Sequence, residues 1–582
     1  MLERLNSNEK LKLFLFFIMS FTLLLLYHRN AAFMDEADNL LGALNIANGS
    51  DIYKGYFSQH TPFVYYFMSV FSIVGVRDYE TFRLCMSIVI LLTWVFMYYR
   101  YSTYIGKKSL LIFMLLYALT LNITWGYMIL SDVFQGYAVL ILLFEVLIFQ
   151  KQKTLTLKSM MVISICIFIS TMSAFVSVYP VFFIALLFSY NVFTLPVKEI
   201  RTRIKEYSTL IMIIVIPFLI LIIWYLATGN LKNFYEQAYE MNRTYYSKYL
   251  GGFGSSAIDL FKSTPLNWTG HIKNYLLTIN KDSIFNSLLV IFNLLFVCVQ
   301  FKKSKVSGVI FFFFIGFTGM RGYTDFHSLN YYIISFFCAS YVIEYYFIRF
   351  DEISELKRMG MKVLVFLLFL VSINSYIPNA GLNIFKGKGI LAQNIYYDSY
   401  IQELTNENDP VWITNLTTQS YINNHRKPAS RVSTLVPWFY DAYKTEMLND
   451  LERNKPKLII FEKDNEVWGH VYSEFAPAIL EYINNYYQCL NEYDSTEKNI
   501  YVKKENYKAI SEKLWPETAK LEEGKLVSNQ SRIFLIEKGL KRHIASPDVF
   551  SEKGYDWNSI VPVNDETISK IKTGPEISSL SK

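Results

Sequence analysis

The chain has 582 residues, 52% hydrophobic and 18% charged, with 47 Phe and 44 Tyr. Its formal charge of +7 is carried by short basic clusters between apolar runs, a pattern of membrane orientation that excludes a nucleic-acid surface. Cys85, Cys166, Cys298 and Cys338 lie inside apolar runs and Cys489 stands alone, which excludes a disulfide framework or thiolate metal site.

The first apolar run, 11–28, has no small-residue cleavage site after it and reads as a retained anchor. A helix needs about 20 apolar residues to cross the hydrocarbon core. Further spans fall near 84–99, 109–126, 131–149, 159–176, 178–195, 208–227, 284–300, 306–320, 329–348 and 361–377, about eleven in all. The run from Pro62 to Val76 is about 15 residues long and suits an interfacial or re-entrant helix. The expected fold is thus an α-helical multi-pass membrane protein with added interfacial helices.

With the N-terminus (Arg4, Lys10, Lys12) on the cytoplasmic side, alternate loops carry Arg100, Lys107 and Lys108; Lys151, Lys153 and Lys158; Lys198 to Lys205; Lys302 to Lys305; and Arg349 to Lys362. Each is basic, as the positive-inside rule demands, and counting the Pro62 run as a crossing would break the agreement. The loop 28–60, the turn 127–131, the loops 228–283 and 321–328 and everything after 377 then share the outer face. Polar residues far apart in sequence can converge there.

The stretch MDEADNLLGALNIANGSDIYKGYFSQHTPFVYYF (34–67) holds the adjacent acids Asp35 and Glu36, then Lys54, His60 and Pro62. Read alone, the two acids fit the start of an interfacial helix as well as they fit chemistry. Asp132, in SDVFQGY, reads as a second acid or as part of a helix cap beside Ser131. Arg321, in MRGYTDFHSLNYY, reads as a snorkelling boundary residue or as a phosphate ligand, since guanidinium matches phosphate bidentately. The long outer loop, with Tyr235, Tyr239, Tyr245, Tyr246 and Tyr249 before GGFGSS, reads as an amphipathic helix and flexible turn, either an interfacial anchor or a lid.

Three regions are expected: a transmembrane domain over residues 1–377, an extracytoplasmic α/β domain over 378–510, and a small accessory module over 526–575. In the second, VWITN (411–415), KLIIF (457–461) and NIYVKK (499–504) read as strands of a partly parallel sheet, with helices over DAYKTEMLNDLERN and APAILEYINNYY. It has no nucleotide-binding loop. The third reads as a β-hairpin turning at Lys538-Gly539, followed by a helix.

Asp35 and Glu36, a helix ending at Gly49, His60 two residues before Pro62, and Arg83 opening the second span together resemble the first outer loop of GT-C-type glycosyltransferases, such as protein O-mannosyltransferases and aminoarabinose transferases. The resemblance covers the transmembrane domain well and the α/β domain loosely. It implies a GT-C-like fold and an inverting transfer of sugar from a polyprenyl-phosphate donor to an extracytoplasmic glycan, lipid or protein. Asp35 would be the base and Glu36 a supporting carboxylate. His60, Arg321, His327 and Tyr332, with Lys54, would hold the donor phosphate; Asp132 would be a second acidic position, and Asp325 a partner for Arg321. Relatives using monophosphate donors manage without a metal, so no cofactor is expected, although Asp35, Glu36, Asp132 and His60 could compose a cation site. The alternatives are a ligase or polymerase using lipid-diphosphate donors, a lipid-linked glycan transporter or flippase, and a non-catalytic scaffold. Against the transporter, no internal repeat is seen and the ionisable residues gather at one face rather than at midplane, apart from Glu145 and Glu344 toward the cytoplasmic ends. Usage of Lys, Asn and Ile points to an AT-rich bacterial genome and a cytoplasmic membrane location.

Overall fold

The computed structural model describes residues 7–348 apart from 29, 31, 250–256, 278–283 and 325; residues 359–373; and residues 396–578 apart from 408, 415–417, 491–499, 515–522, 530–531, 564–567 and 570. The chain divides into two compact units, Met1–Gln393 and Asn394–Lys582.

In the first unit a helix lies over every apolar run. The helices are α1 (Ser7–Leu25), α2 (Met34–Ala47), α3 (Phe63–Ile73), α4 (Tyr79–Ile105), α5 (Lys107–Thr124), α6 (Ser131–Gln152), α7 (Leu157–Ser173), α8 (Val178–Phe193) and α9 (Val197–Ala227). After α9 come the short helices α10 (Leu231–Phe234) and α11 (Ser247–Tyr249), then α12 (Ala257–Leu277), α13 (Ile284–Lys303), α14 (Lys305–Thr318) and α15 (Leu329–Ile348). A last apolar helix, α16, spans Met359–Ile373. Among the described residues six helices are long and apolar enough to cross a membrane: Tyr79–Ile105, Lys107–Thr124, Ser131–Gln152, Phe175–Phe193, Arg203–Ala227 and Ile284–Lys303. The remaining expected spans coincide with α1, α7, α14, α15 and α16. α3 has 11 residues and rises only about 16 Å, too short to cross.

Packing separates a protein-facing core from a lipid-facing rim. The apolar stretch of α6 is 94% buried, whereas that of α9, with a mean hydropathy of 3.0, is 11% buried. Ile211, Ile216, Ile220 and Ile223 on α9 are all exposed. So much unpaired apolar surface is stable only against hydrocarbon. Gly136 lets α6 approach α15: a Cβ there would fall 3.3 Å from the Asn330 Cα.

The second unit opens with α17 (Tyr396–Leu404) and holds a mixed sheet built from β1 (Pro410–Ile413), β2 (Lys427–Pro428), β3 (Leu458–Ile460), β6 (Tyr487–Cys489) and β7 (Ile500–Lys503), in the order β2-β1-β3-β7-β6. β1 runs parallel to β2 and β3, and β3 antiparallel to β7. A small antiparallel pair, β4 (Glu466–Val467) and β5 (His470–Val471), follows β3. Between the strands lie α18 (Gln419–Asn423), α19 (Pro437–Asn454), α20 (Tyr472–Phe475) and α21 (Pro477–Tyr486); α19 and α21 fall on the two expected helical stretches. A separate four-stranded sheet contains β8 (Leu526–Asn529), β9 (Arg532–Glu537) and β10 (Leu540–His543). Lys538 and Gly539, at φ 52° and 76°, form the left-handed two-residue turn between β9 and β10.

Candidate active site

The site is built on α2. Its first turn holds Asp35 and Glu36, where the helix dipole favours acids, but the N-cap residue Phe33 makes no side-chain cap bond. Neighbouring positions on a helix point about 100° apart, so the two acids go to different places. Glu36 is 0% exposed and pairs with Arg83, itself 1% exposed. The Arg83 Nε donates to Glu36 Oε1 at 2.8 Å and Nη2 donates to Oε2. Arg83 Nη1 also donates to the carbonyls of Asn30 at 2.6 Å and His28 at 3.1 Å, and the guanidinium lies 5.1 Å from the Tyr127 ring centroid. One turn on, Asn39 donates to the Ile129 carbonyl at 3.0 Å, while the Ile129 N–H donates to Glu36 at 3.1 Å. Glu36 and Asn39 thus grip the backbone just before α6, on which Asp132 sits. That burial separates Glu36 from Asp35, beside which the sequence pattern places it as a supporting carboxylate.

Asp35 and Asp38 occupy the other face, three residues apart. Both are half-buried. No described hydrogen bond or ion pair ties the Asp35 carboxylate. Asp38 accepts from the Tyr56 hydroxyl at 2.6 Å and from the Tyr65 hydroxyl. Burial pushes the Asp38 carboxyl above its usual range; His60 and the two tyrosines pull it down, and the Asp35 carboxylate adds to the rise. Gly42 makes room for this arrangement, since a Cβ there would meet Tyr65 Cδ1 at 2.3 Å.

His60 is placed by its backbone. Tyr53 donates to the His60 carbonyl at 2.7 Å, the His60 N–H donates to Ser58 Oγ at 3.0 Å, and Ser58 Oγ is 2.7 Å from the Tyr65 hydroxyl. This loop is strapped to the segment after α9. Asn230 Nδ2 donates to the Ile52 carbonyl and Gln237 Nε2 to the Tyr53 carbonyl, each at 2.5 Å; Asn242 Nδ2 donates to the Gln59 carbonyl at 2.8 Å. The segment is π-helical over Tyr235–Glu240 and Asn242–Tyr246. An i→i+5 ladder brings residues five apart toward one face, as Gln237 and Asn242 require, and π turns cluster at functional sites. The long loop is therefore helical where an amphipathic helix is expected; GGFGSS lies outside the described residues.

At the start of α6, Asp132 is 2% exposed. Arg321 Nη1 lies 3.3 Å from both of its carboxylate oxygens, His327 Nδ1 lies 3.6 Å from Oδ2, and Arg321 Nη2 is 3.1 Å from His327 Nε2. With Nε2 accepting from the guanidinium, the imidazole proton belongs on Nδ1, facing the carboxylate. Asp132 is thus a carboxylate partner of Arg321; Asp325, expected in that role, lies outside the described residues.

Tyr246 joins the two halves. Burial pushes its phenol up, the Arg321 guanidinium pulls it down and the Asp35 carboxylate pushes it up again, so it sits within the field of both. Asp35 and His60 thus act electrostatically on Asp38, and Tyr246 feels both Asp35 and the bonded group of Arg321, His327 and Asp132. Besides Glu36, two expected members have no described bond to these residues. Lys54 is exposed in the 53–55 turn with no described contact to the others. Tyr332 is 1% exposed, and its hydroxyl donates to Asn286 Oδ1 at 3.1 Å. Among the described residues no group of three or more His, Cys, Asp or Glu could hold a metal ion. Of the four residues that could compose a cation site, Glu36 and Asp132 are already paired with arginine.

No family model and no curated protein matches the sequence. Among solved structures, the chain is similar to the archaeal oligosaccharyltransferase AglB from Archaeoglobus fulgidus in complex with an inhibitory peptide and a dolichol-phosphate, with 11% identity over 86% of this chain and 75% of that one and a TM-score of 0.41. It is also similar to ArnT from Cupriavidus metallidurans bound to undecaprenyl phosphate, with 9% identity over 84% of this chain and 97% of that one and a TM-score of 0.41. Both likenesses are broad and shallow.

Asp38 is not among the sequence candidates, although its signal is present: it stands three residues after Asp35, the spacing that keeps two side chains on one helical face. Tyr246 is visible in the sequence only as one ring in an aromatic stripe.

Proposed function

We propose that the protein is a multi-pass membrane glycosyltransferase of the GT-C type, moving a sugar from a polyprenyl-phosphate donor to an extracytoplasmic hydroxyl acceptor. The observation that carries this reading is that the Asp35 carboxylate, which has no described partner, and the Arg321 guanidinium, held by Asp132 and His327, both act electrostatically on the Tyr246 phenol. Sugar transfer needs this pair of charges. The acceptor oxygen attacks the anomeric carbon, the bond from that carbon to the phosphate oxygen breaks, and the phosphate leaves with the electron pair while Asp35 takes the acceptor proton. Arg321 stabilises the negative charge gathering on the leaving phosphate, aided by His60.

The surrounding residues act through these. Asp132 and His327 orient Arg321, and the Glu36–Arg83 pair anchors the backbone from which α6 and Asp132 start. Glu36 is a positioning residue rather than a catalytic one in this scheme. The charge pattern of the loops supports an outer-face position for the cluster, with the basic loops on the cytoplasmic side.

The test uses purified full-length protein in detergent with polyprenyl-phosphate and its glycosylated forms. Asp35→Asn should retain lipid-phosphate binding and lose transfer by about 100-fold or more. Arg321→Gln should weaken lipid-phosphate binding itself. Transfer at the wild-type rate by Asp35→Asn, or unchanged lipid-phosphate binding by Arg321→Gln, would end the proposal. Mass spectrometry of surface glycans from a deletion strain would name the sugar and its carrier.

A further inference from the structure

A second polar site lies at the opposite end of α6. That helix has 22 residues and rises about 33 Å, so Asp132 in its first turn and Gln152 at its end stand on opposite sides of a hydrocarbon layer about 30 Å thick. Around Gln152, where α4 and α6 end and α7 begins, is a cavity of about 440 Å³. Its walls include Arg100, Gln152, Thr156 and Ser159, with Phe96 and Ile148 on the apolar side.

The wall is built for an anion. Arg100 is held by Glu145, whose Oε1 accepts from the Arg100 Nε and from the Tyr101 hydroxyl, each at 2.6 Å. Arg100 Nη2 donates to Ser159 Oγ at 3.1 Å, and Nη1 has no described partner. Thr156 caps α7, its Oγ1 accepting from the Ser159 N–H at 3.1 Å, so the positive end of that helix faces the same space. Glu145, buried behind Arg100, offsets the guanidinium charge. Lys151 Nζ donates to the carbonyl of Tyr104, which lines the cavity, and Lys153 and Lys158 adjoin the lining residues Gln152 and Ser159 in sequence, so the segment is net positive. Phe96, one turn before Arg100, is 40% exposed.

We propose that this cavity binds the phosphate headgroup of an anionic membrane phospholipid. The phosphate would lie between Arg100 and the α7 terminus, with the adjoining acyl chain along Phe96. Basic pockets between membrane helices favour such headgroups. A free phosphate would make no use of the exposed ring, which points to a lipid source. The inference needs α4, α6 and α7 to be membrane helices but is independent of the chemistry at Asp35.

The test is native mass spectrometry of the delipidated full-length protein offered phosphatidylglycerol or phosphatidylcholine. Wild type should retain phosphatidylglycerol about tenfold better. Gln152→Glu places a carboxylate at the rim without touching the Arg100–Glu145 pair and should bring the ratio near one. Arg321→Gln, which alters the other polar cluster, should leave the ratio unchanged. Equal retention of the two lipids, a ratio insensitive to Gln152→Glu, a ratio lost in Arg321→Gln, or displacement by inorganic phosphate at the lipid's own concentration would each overturn the proposal.

Discussion

Arg83→Met should be among the most damaging single changes outside the reacting groups, and its cost can be worked from the contacts. The substitution keeps the volume of the stem but strands the Glu36 carboxylate at 0% exposure, with the Ile129 N–H as its remaining described donor. It also frees the carbonyls of His28 and Asn30. Removing one partner of a buried ion pair costs about 3–5 kcal/mol. Glu36→Gln combined with Arg83→Met leaves a neutral amide that still accepts from Ile129, which reduces the cost to about 1–2 kcal/mol. Glu36→Gln alone strands the Arg83 guanidinium at a similar cost of about 3–5 kcal/mol. The double-mutant cycle, which subtracts both single costs from the double, should therefore show a coupling of at least about 4 kcal/mol in magnitude. Reversible denaturant titration of the four detergent-solubilised proteins, followed by tryptophan fluorescence, measures it. Additivity within about 0.5 kcal/mol would refute the role given to the pair.

Three further outcomes follow from the same geometry. Asp38 has a raised folded-state pKa, so the native state holds its proton more tightly than the unfolded chain, and its contribution to stability is present at acid pH and lost as pH rises from about 4 through the folded value; Asp38→Asn should flatten that stretch of the stability–pH curve. Gly42→Ala forces a methyl onto the Tyr65 ring, which is held by Asp38 and Ser58, and should cost about 1–3 kcal/mol in unfolding free energy and lower transfer activity. Burial pushes the His271 imidazole down to about 4, so the fold should lose on the order of 3 kcal/mol as pH falls from about 6.5 to that value; His271→Phe should remove this acid sensitivity in an unfolding titration.

The features of this architecture that answer to solvent and period were legible in the sequence. Hydropathy located helices over all the apolar runs because a lipid-facing helix must be apolar along its length. The shortness of the Pro62 run excluded a crossing, and Lys538-Gly539 announced its hairpin by the need for left-handed backbone. Asp132 and Arg321, read alone, fit a helix cap and a snorkelling boundary as well as a site, and it is the family resemblance that singles them out together with His327. What sequence could not supply was the division of labour between adjacent acids. Asp35 and Glu36 look alike in one dimension, and only the position of Arg83, 47 residues from Glu36 along the chain, decides which one is buried. Nor does anything local record that the Tyr332 hydroxyl donates to Asn286.

Surface connections usually absorb insertions and deletions freely. The stretch from Asn230 to Asn242 should not, despite lying outside the bundle. Its π turns carry the equivalent of surplus residues, and removing one would wind the chain back toward an ordinary α-helix, rotating Gln237 and Asn242 onto different sides. One of the two would then let go of the loop that carries His60. Evolution can reshape the tip of this connection, but its length between the two carboxamides is fixed by what they hold.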